Sequence, residues 1–216
     1  MRQFDTVWAT LEQWSPRLYL FAGVLLVGYA VLNGITAFTD VAYVTVEDVV
    51  GPAGLLVGFV GLLGLYPALA NGRPILARAG AVCVSLGAVG LFGITMIGFA
   101  VLAGVASATV PAVMLFPVAV GMIPGYLSSS LASLRVGERF RPVGLLLLAP
   151  AVVFAAMLSQ PFVYSTLGMF SESTMAWSNF AISGGQAVAH LAIGYVLRTR
   201  SSLAGREVSS TGVVAG

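Results

Sequence analysis

Asn179, Ser183, Gln186 and His190 follow one another at spacings of four, three and four. On a helix that spacing sets all four on one face. Tyr29, Asn33 and Thr36 repeat the pattern, with Asp40 one further step along. Amide, hydroxyl and imidazole groups aligned in this way offer two chemistries. They bond to one another and hold helices together, or they line a pathway or pocket for a small polar molecule. His190 adds a third. A serine within hydrogen-bond reach would make a Ser–His dyad for nucleophilic catalysis, and Ser85 and Ser128 fall at similar depths in their own segments. A histidine satisfied by a hydroxyl between packed helices is the commoner use of such residues and the preferred reading.

The elements that must position these residues are apolar. The chain is 58% hydrophobic and 8% charged, against roughly 25% charged in a soluble domain. Too few charges exist to coat a water-facing surface, so lipid is the expected solvent. Six blocks reach the ~20 residues needed to cross the hydrocarbon: 18–38, 52–70, 79–106, 110–134, 143–163 and 175–197. The expected fold is all-α, a six-transmembrane-helix bundle. Residues 1–16 carry Phe4, Trp8 and Leu11 at helical spacing and read as a short interfacial amphipathic helix with tryptophans at headgroup depth. The loop 39–51 alternates weakly through VAYVTVEDVV, consistent with an extended or surface segment. Residues 198–216, rich in Ser, Gly and Arg, read as a disordered cytoplasmic tail.

Charge gives the topology. All ten basic residues are arginines, and they fall before block one, in the gaps after blocks two and four, and after block six. The alternate gaps hold Asp40, Glu47, Asp48 and Glu172 and no base. Basic loops are retained in the cytoplasm, so both termini are expected inside a plasma membrane. The arginine face should attract anionic lipid headgroups. Scattered over short loops, these arginines make a poor nucleic-acid surface. Cys83 is the only cysteine and His190 the only histidine, which leaves no conventional metal site. The first block is long for a signal sequence and reads as a retained helix.

The two polar rows match in depth. Counted from Leu18 and Leu197, Tyr29 and Gln186 are each eleven residues in, and Thr36 and Asn179 each eighteen. Spans one and six should run antiparallel and touch, with Asn33 near Ser183 and Tyr29 near Gln186. Glycines at three- and four-residue spacing in spans two, three and four favour close helix approach. Pro117, Pro124 and Pro150 should free the carbonyls of Val113, Val120 and Leu146, one turn back.

Two resemblances bear on family. The segment GLYPALANGRPILARAGA, from Gly64 to Ala81, together with the absence of lysine, resembles helix–loop–helix junctions of uncharacterised small multi-pass membrane proteins of GC-rich prokaryotes such as haloarchaea; it implies no activity. The segment GGQAVAHLAIGYV around His190 resembles the last core helix of rhomboid intramembrane proteases. That likeness implies a serine nucleophile in a Gly-x-Ser-Gly motif at the outer start of span four, where this chain has Val110-Pro111-Ala112-Val113.

No P-loop is present, no lysine is available for a Schiff base, and no cofactor is expected. No acid falls inside the six blocks, which argues against a proton relay but leaves a facilitator for neutral solutes. The leading expectation is a non-enzymatic scaffold or accessory subunit, with lipid and a second membrane protein as partners. The alternatives are a transporter or binding protein for a small neutral ligand between helices one and six, and an intramembrane hydrolase using His190. The candidate polar residues are Tyr29, Asn33, Thr36, Asn179, Ser183, Gln186 and His190.

Overall fold

A computed structural model describes residues 2–39, 44–107, 111–138, 140–168 and 171–211. It is helical throughout, with no strand among the described residues. The helices are α1 (Arg2–Thr39), α2 (Val44–Gly64), α3 (Tyr66–Gly72), α4 (Pro74–Leu102), α5 (Leu115–Val120), α6 (Tyr126–Val136), α7 (Arg141–Thr166) and α8 (Glu172–Thr211). Six helical stretches are long and apolar enough to cross a membrane, α5 and α6 forming one of them. The chain is a multi-pass membrane protein built as a helical bundle.

The spans pack in chain order and close into a ring, with α8 returning against α1. Close approaches fix the directions. A Cβ on Gly23 would meet Leu191 and one on Gly34 would meet Phe180, while Gly194 lies against Leu20 and Pro16. Rising numbers on α1 thus meet falling numbers on α8, the antiparallel contact expected of spans one and six. The outward faces carry Val31, Val82, Val89, Phe92, Val152 and Val188, all exposed. In water such a belt would drive aggregation; in lipid it is the solvated surface.

Several boundaries differ from the sequence reading, each for a local reason. The amino-terminal segment is not a separate interfacial helix: α1 runs on through Pro16. Trp8 packs on Tyr66 with ring centroids 5.2 Å apart, and a Cβ on Gly64 would lie 2.6 Å from the Leu11 carbonyl oxygen. These contacts hold the first turns against the α2–α3 corner. Span two ends early, because Pro67 offers no amide to continue the ladder; Leu65 N–H instead donates to Leu62 O at 3.0 Å. A single extended residue, Arg73, separates α3 from α4, and Pro74 opens α4, where its fixed φ suits the first helical turn.

The 39–51 segment is not extended either. From Val44 onward it is helix, because backbone entering hydrocarbon must satisfy its own hydrogen bonds; residues 40–43, including Asp40, lie outside the described residues. The segment expected to be a disordered tail continues α8 as helix to Thr211. Adding residues to an existing helix needs no new nucleus. Residues 212–216 lie outside the described residues, as does Val110, the expected start of span four.

Candidate functional site

Four helices meet at His190, whose side chain is wholly buried. Its Nδ1 lies 2.8 Å from the Gln186 carbonyl oxygen, one turn back. A carbonyl only accepts, so Nδ1 carries the proton and Nε2 the lone pair. The Tyr126 hydroxyl then donates to Nε2 at 3.1 Å. Tyr19 flanks the imidazole from α1, with ring centroids 5.8 Å apart. Gly58 on α2 makes room, since a Cβ there would lie 2.6 Å from Nε2. Both Tyr19 and Tyr126 are fully buried, and the Tyr19 hydroxyl has no hydrogen-bond partner among the described residues.

Local winding delivers Tyr126. Residues Gly121–Gly125 form a single π turn containing Pro124, and that wider turn absorbs the proline's missing amide. Such turns rotate the following residues out of α register and recur at functional positions. Tyr126 is the next residue, at the start of α6.

Both imidazole nitrogens are therefore occupied, and neither by a serine. Ser85 is exposed on α4, and Ser129, the neighbour of Ser128, donates to Gly125 O within its own helix. The Ser–His arrangement that the sequence and the rhomboid likeness brought forward is not formed. Depth would have found the true partner. Tyr126 lies eight residues from Leu134, the inner end of span four, and His190 seven from Leu197.

Of the two polar rows, the bundle brings some members together around a cavity and turns others back on their own helices. The Asn33 side-chain amide donates to Tyr29 O at 2.9 Å. Ser183 donates to Asn179 O at 2.7 Å and to Phe180 O at 3.0 Å. Thr36 faces α2 and donates to the Glu47 carboxylate at 3.3 Å. Gln186 reaches α7, its Nε2 donating to Pro150 O at 3.0 Å. None of the hydrogen bonds of Asn33, Ser183 or Gln186 runs between α1 and α8. The register set by Gly23 against Leu191 and Gly34 against Phe180 puts Tyr29 level with Gln186 and Asn33 level with Ser183, but no hydrogen bond pairs them across the seam. The physical reason is that Ser, Thr and Asn in helices readily bond to carbonyls one turn back.

Inside the ring lies a cavity of about 320 Å³ whose wall draws on all six spans. Most of the wall is apolar, including Leu26, Leu91, Phe154 and Ile182. Its polar members are Tyr29, Asp48, Asn179, Ser183 and Gln186. Gln186 is 5% exposed, and its Oε1 has no hydrogen-bond partner among the described residues. A buried acceptor left unpaired costs about 1–3 kcal/mol, so this atom is a specific vacancy in the polar bookkeeping of the bundle. Asp48 changes another expectation. With α2 starting at Val44, Glu47 and Asp48 occupy its first turns, so acidic side chains do enter a span. Among the described residues no three His, Cys, Asp or Glu side chains group to hold a metal ion.

At the other end of the bundle Arg73 and Arg135 line one surface depression with Gly72 and Pro74. Gly72 is locked there, because a Cβ would lie 2.8 Å from Val136 Cγ2. The two arginine-bearing turns are therefore neighbours, facing away from Asp48. Comparison with protein-family models, with curated proteins and with solved structures finds no match for this chain.

Proposed function

We propose that this protein holds a small, largely apolar molecule inside its membrane-embedded bundle, as a binding protein or a facilitator. One observation carries the reading: a cavity walled by six spans is lined by Gln186, a buried amide whose oxygen has no hydrogen-bond partner among the described residues. Apolar walls with a few placed polar groups are the usual make-up of small-molecule sites. The scaffold reading accounts for the ring but gives neither the cavity nor that oxygen a role.

Binding is read by thermal unfolding of detergent-solubilised protein with 2-phenylethanol as probe. At a hundred times its Kd a ligand stabilises the folded state by about 2.7 kcal/mol, so the midpoint should rise. Ser183→Phe, which fills the cavity, should abolish the rise. An unchanged midpoint in the unsubstituted protein would count against the cavity as a site.

For orientation we propose a plasma-membrane protein whose arginine end is cytoplasmic, where Arg73 and Arg135 meet anionic headgroups. Asn71 and Ser107 are exposed near opposite ends of α4. Cysteines placed singly at these positions on a Cys83→Ser background should react with an impermeant thiol reagent only from opposite sides, Ser107→Cys from outside. Labelling of both from outside would refute the assignment.

A further inference from the structure

We infer that the molecule taken up by the cavity is an organic amine, bound through its ammonium group between Asp48 and Gln186. The inference rests on the cavity being a binding site, as proposed above, and concerns what it selects. Every charged residue in the wall is acidic: Asp48 stands there without an arginine or histidine beside it. Asp48 makes no ion pair or hydrogen bond among the described residues, whereas its neighbour Glu47 accepts from Thr36.

The remaining polar wall is Tyr29, Asn179, Ser183 and Gln186. Gln186 Oε1 is buried and unpaired among the described residues, and the Ser183 hydroxyl proton is already engaged by backbone carbonyls. A carboxylate or phosphate would meet the unpaired Asp48 carboxylate across a mostly apolar wall. A neutral alcohol would satisfy Gln186 and leave Asp48 unmatched. An ammonium carries several donors and a charge, and satisfies both. Position agrees. Gly28 lies beside Val50, and Gly23 beside Leu191, so Gln186 and Asp48 stand within about one helical turn of each other along the bundle axis. The apolar remainder sets the rest of the molecule. A cavity of about 150 Å³ takes up benzene, and this one, at about 320 Å³, has room for a ring and a short chain.

The test uses the full-length protein in detergent and three probes of one shape: 2-phenylethylamine, 2-phenylethanol and 3-phenylpropionate, titrated calorimetrically at neutral pH. The amine should bind about tenfold or more tighter than the alcohol, and the propionate should give no heat of binding. Asp48→Asn, at an exposed position, should bring the amine to the level of the alcohol and leave the alcohol unchanged. Gln186→Leu should weaken both. Equal affinity for amine and alcohol, or an amine preference that survives Asp48→Asn, would overturn the amine assignment and leave the cavity standing. If none of the three binds, or if Ser183→Phe binds them as well as the unsubstituted protein does, the cavity reading itself fails.

Discussion

Replacing Gly87 with alanine should lower the unfolding midpoint of the detergent-solubilised protein sharply, and leucine there should prevent recovery of a folded bundle. A Cβ at this position would sit 2.5 Å from Phe59 Cε2 and 2.7 Å from the Gly121 Cα. One neighbour is backbone and cannot swing aside. The other is a fully buried ring already packed on Tyr126 with centroids 5.9 Å apart. Overpacking of this kind costs about 1–3 kcal/mol for a methyl group and more for a larger one. Gly184 is the control, since a Cβ there meets nothing within 4 Å. Gly184→Ala should be neutral or stabilise by up to about 1 kcal/mol through helix propensity alone. Equal midpoints for Gly87→Ala and the unsubstituted protein would mean that spans three and four do not approach as described.

His190→Ala should cost about 3–5 kcal/mol, the range for emptying a large buried side chain and leaving a polar neighbour unpaired. The void would open among Tyr19, Gly58 and Tyr126, and the Tyr126 hydroxyl would lose its acceptor. Tyr126→Phe keeps the ring and removes only the hydroxyl, so about 1–2 kcal/mol is expected. The two changes should not add. Once His190 is gone the hydroxyl has nothing to bond, and the double variant should unfold no earlier than His190→Ala alone. Strict additivity in that cycle would show that the 3.1 Å contact contributes nothing.

The six spans were legible because they follow from composition and periodicity. The contact of spans one and six followed from two rows of equal period and depth. What those rows do was not legible, because spacing cannot distinguish a hydroxyl that crosses to a neighbour from one that turns back on its own carbonyl. Ser183 and Asn33 turn back; Gln186, with a longer side chain, crosses to Pro150. The partner of His190 was missed because serines were sought as nucleophiles while Tyr126, at matching depth, was counted with the apolar residues. Glu47 and Asp48 were placed in a loop because VAYVTVEDVV alternates weakly, a strand-like pattern, between two apolar blocks. A pattern of that kind is weak beside the cost of unpaired backbone in hydrocarbon.

Closure of the ring by α8 also governs how the bundle comes into being. The first span's broad small-residue face, with Gly23 and Gly34, finds its partner in the last of the six spans to leave the ribosome. Contacts of such long sequence separation form late. Until then Tyr29 and Asp48 border an open trough, and Ser183, Gln186 and His190 are not yet there to complete it. The chamber is therefore absent from every earlier stage of synthesis and arrives in a single event. Completion of the bundle and closure of the chamber coincide, so a chain halted one helix short is inserted in the membrane without an enclosed chamber.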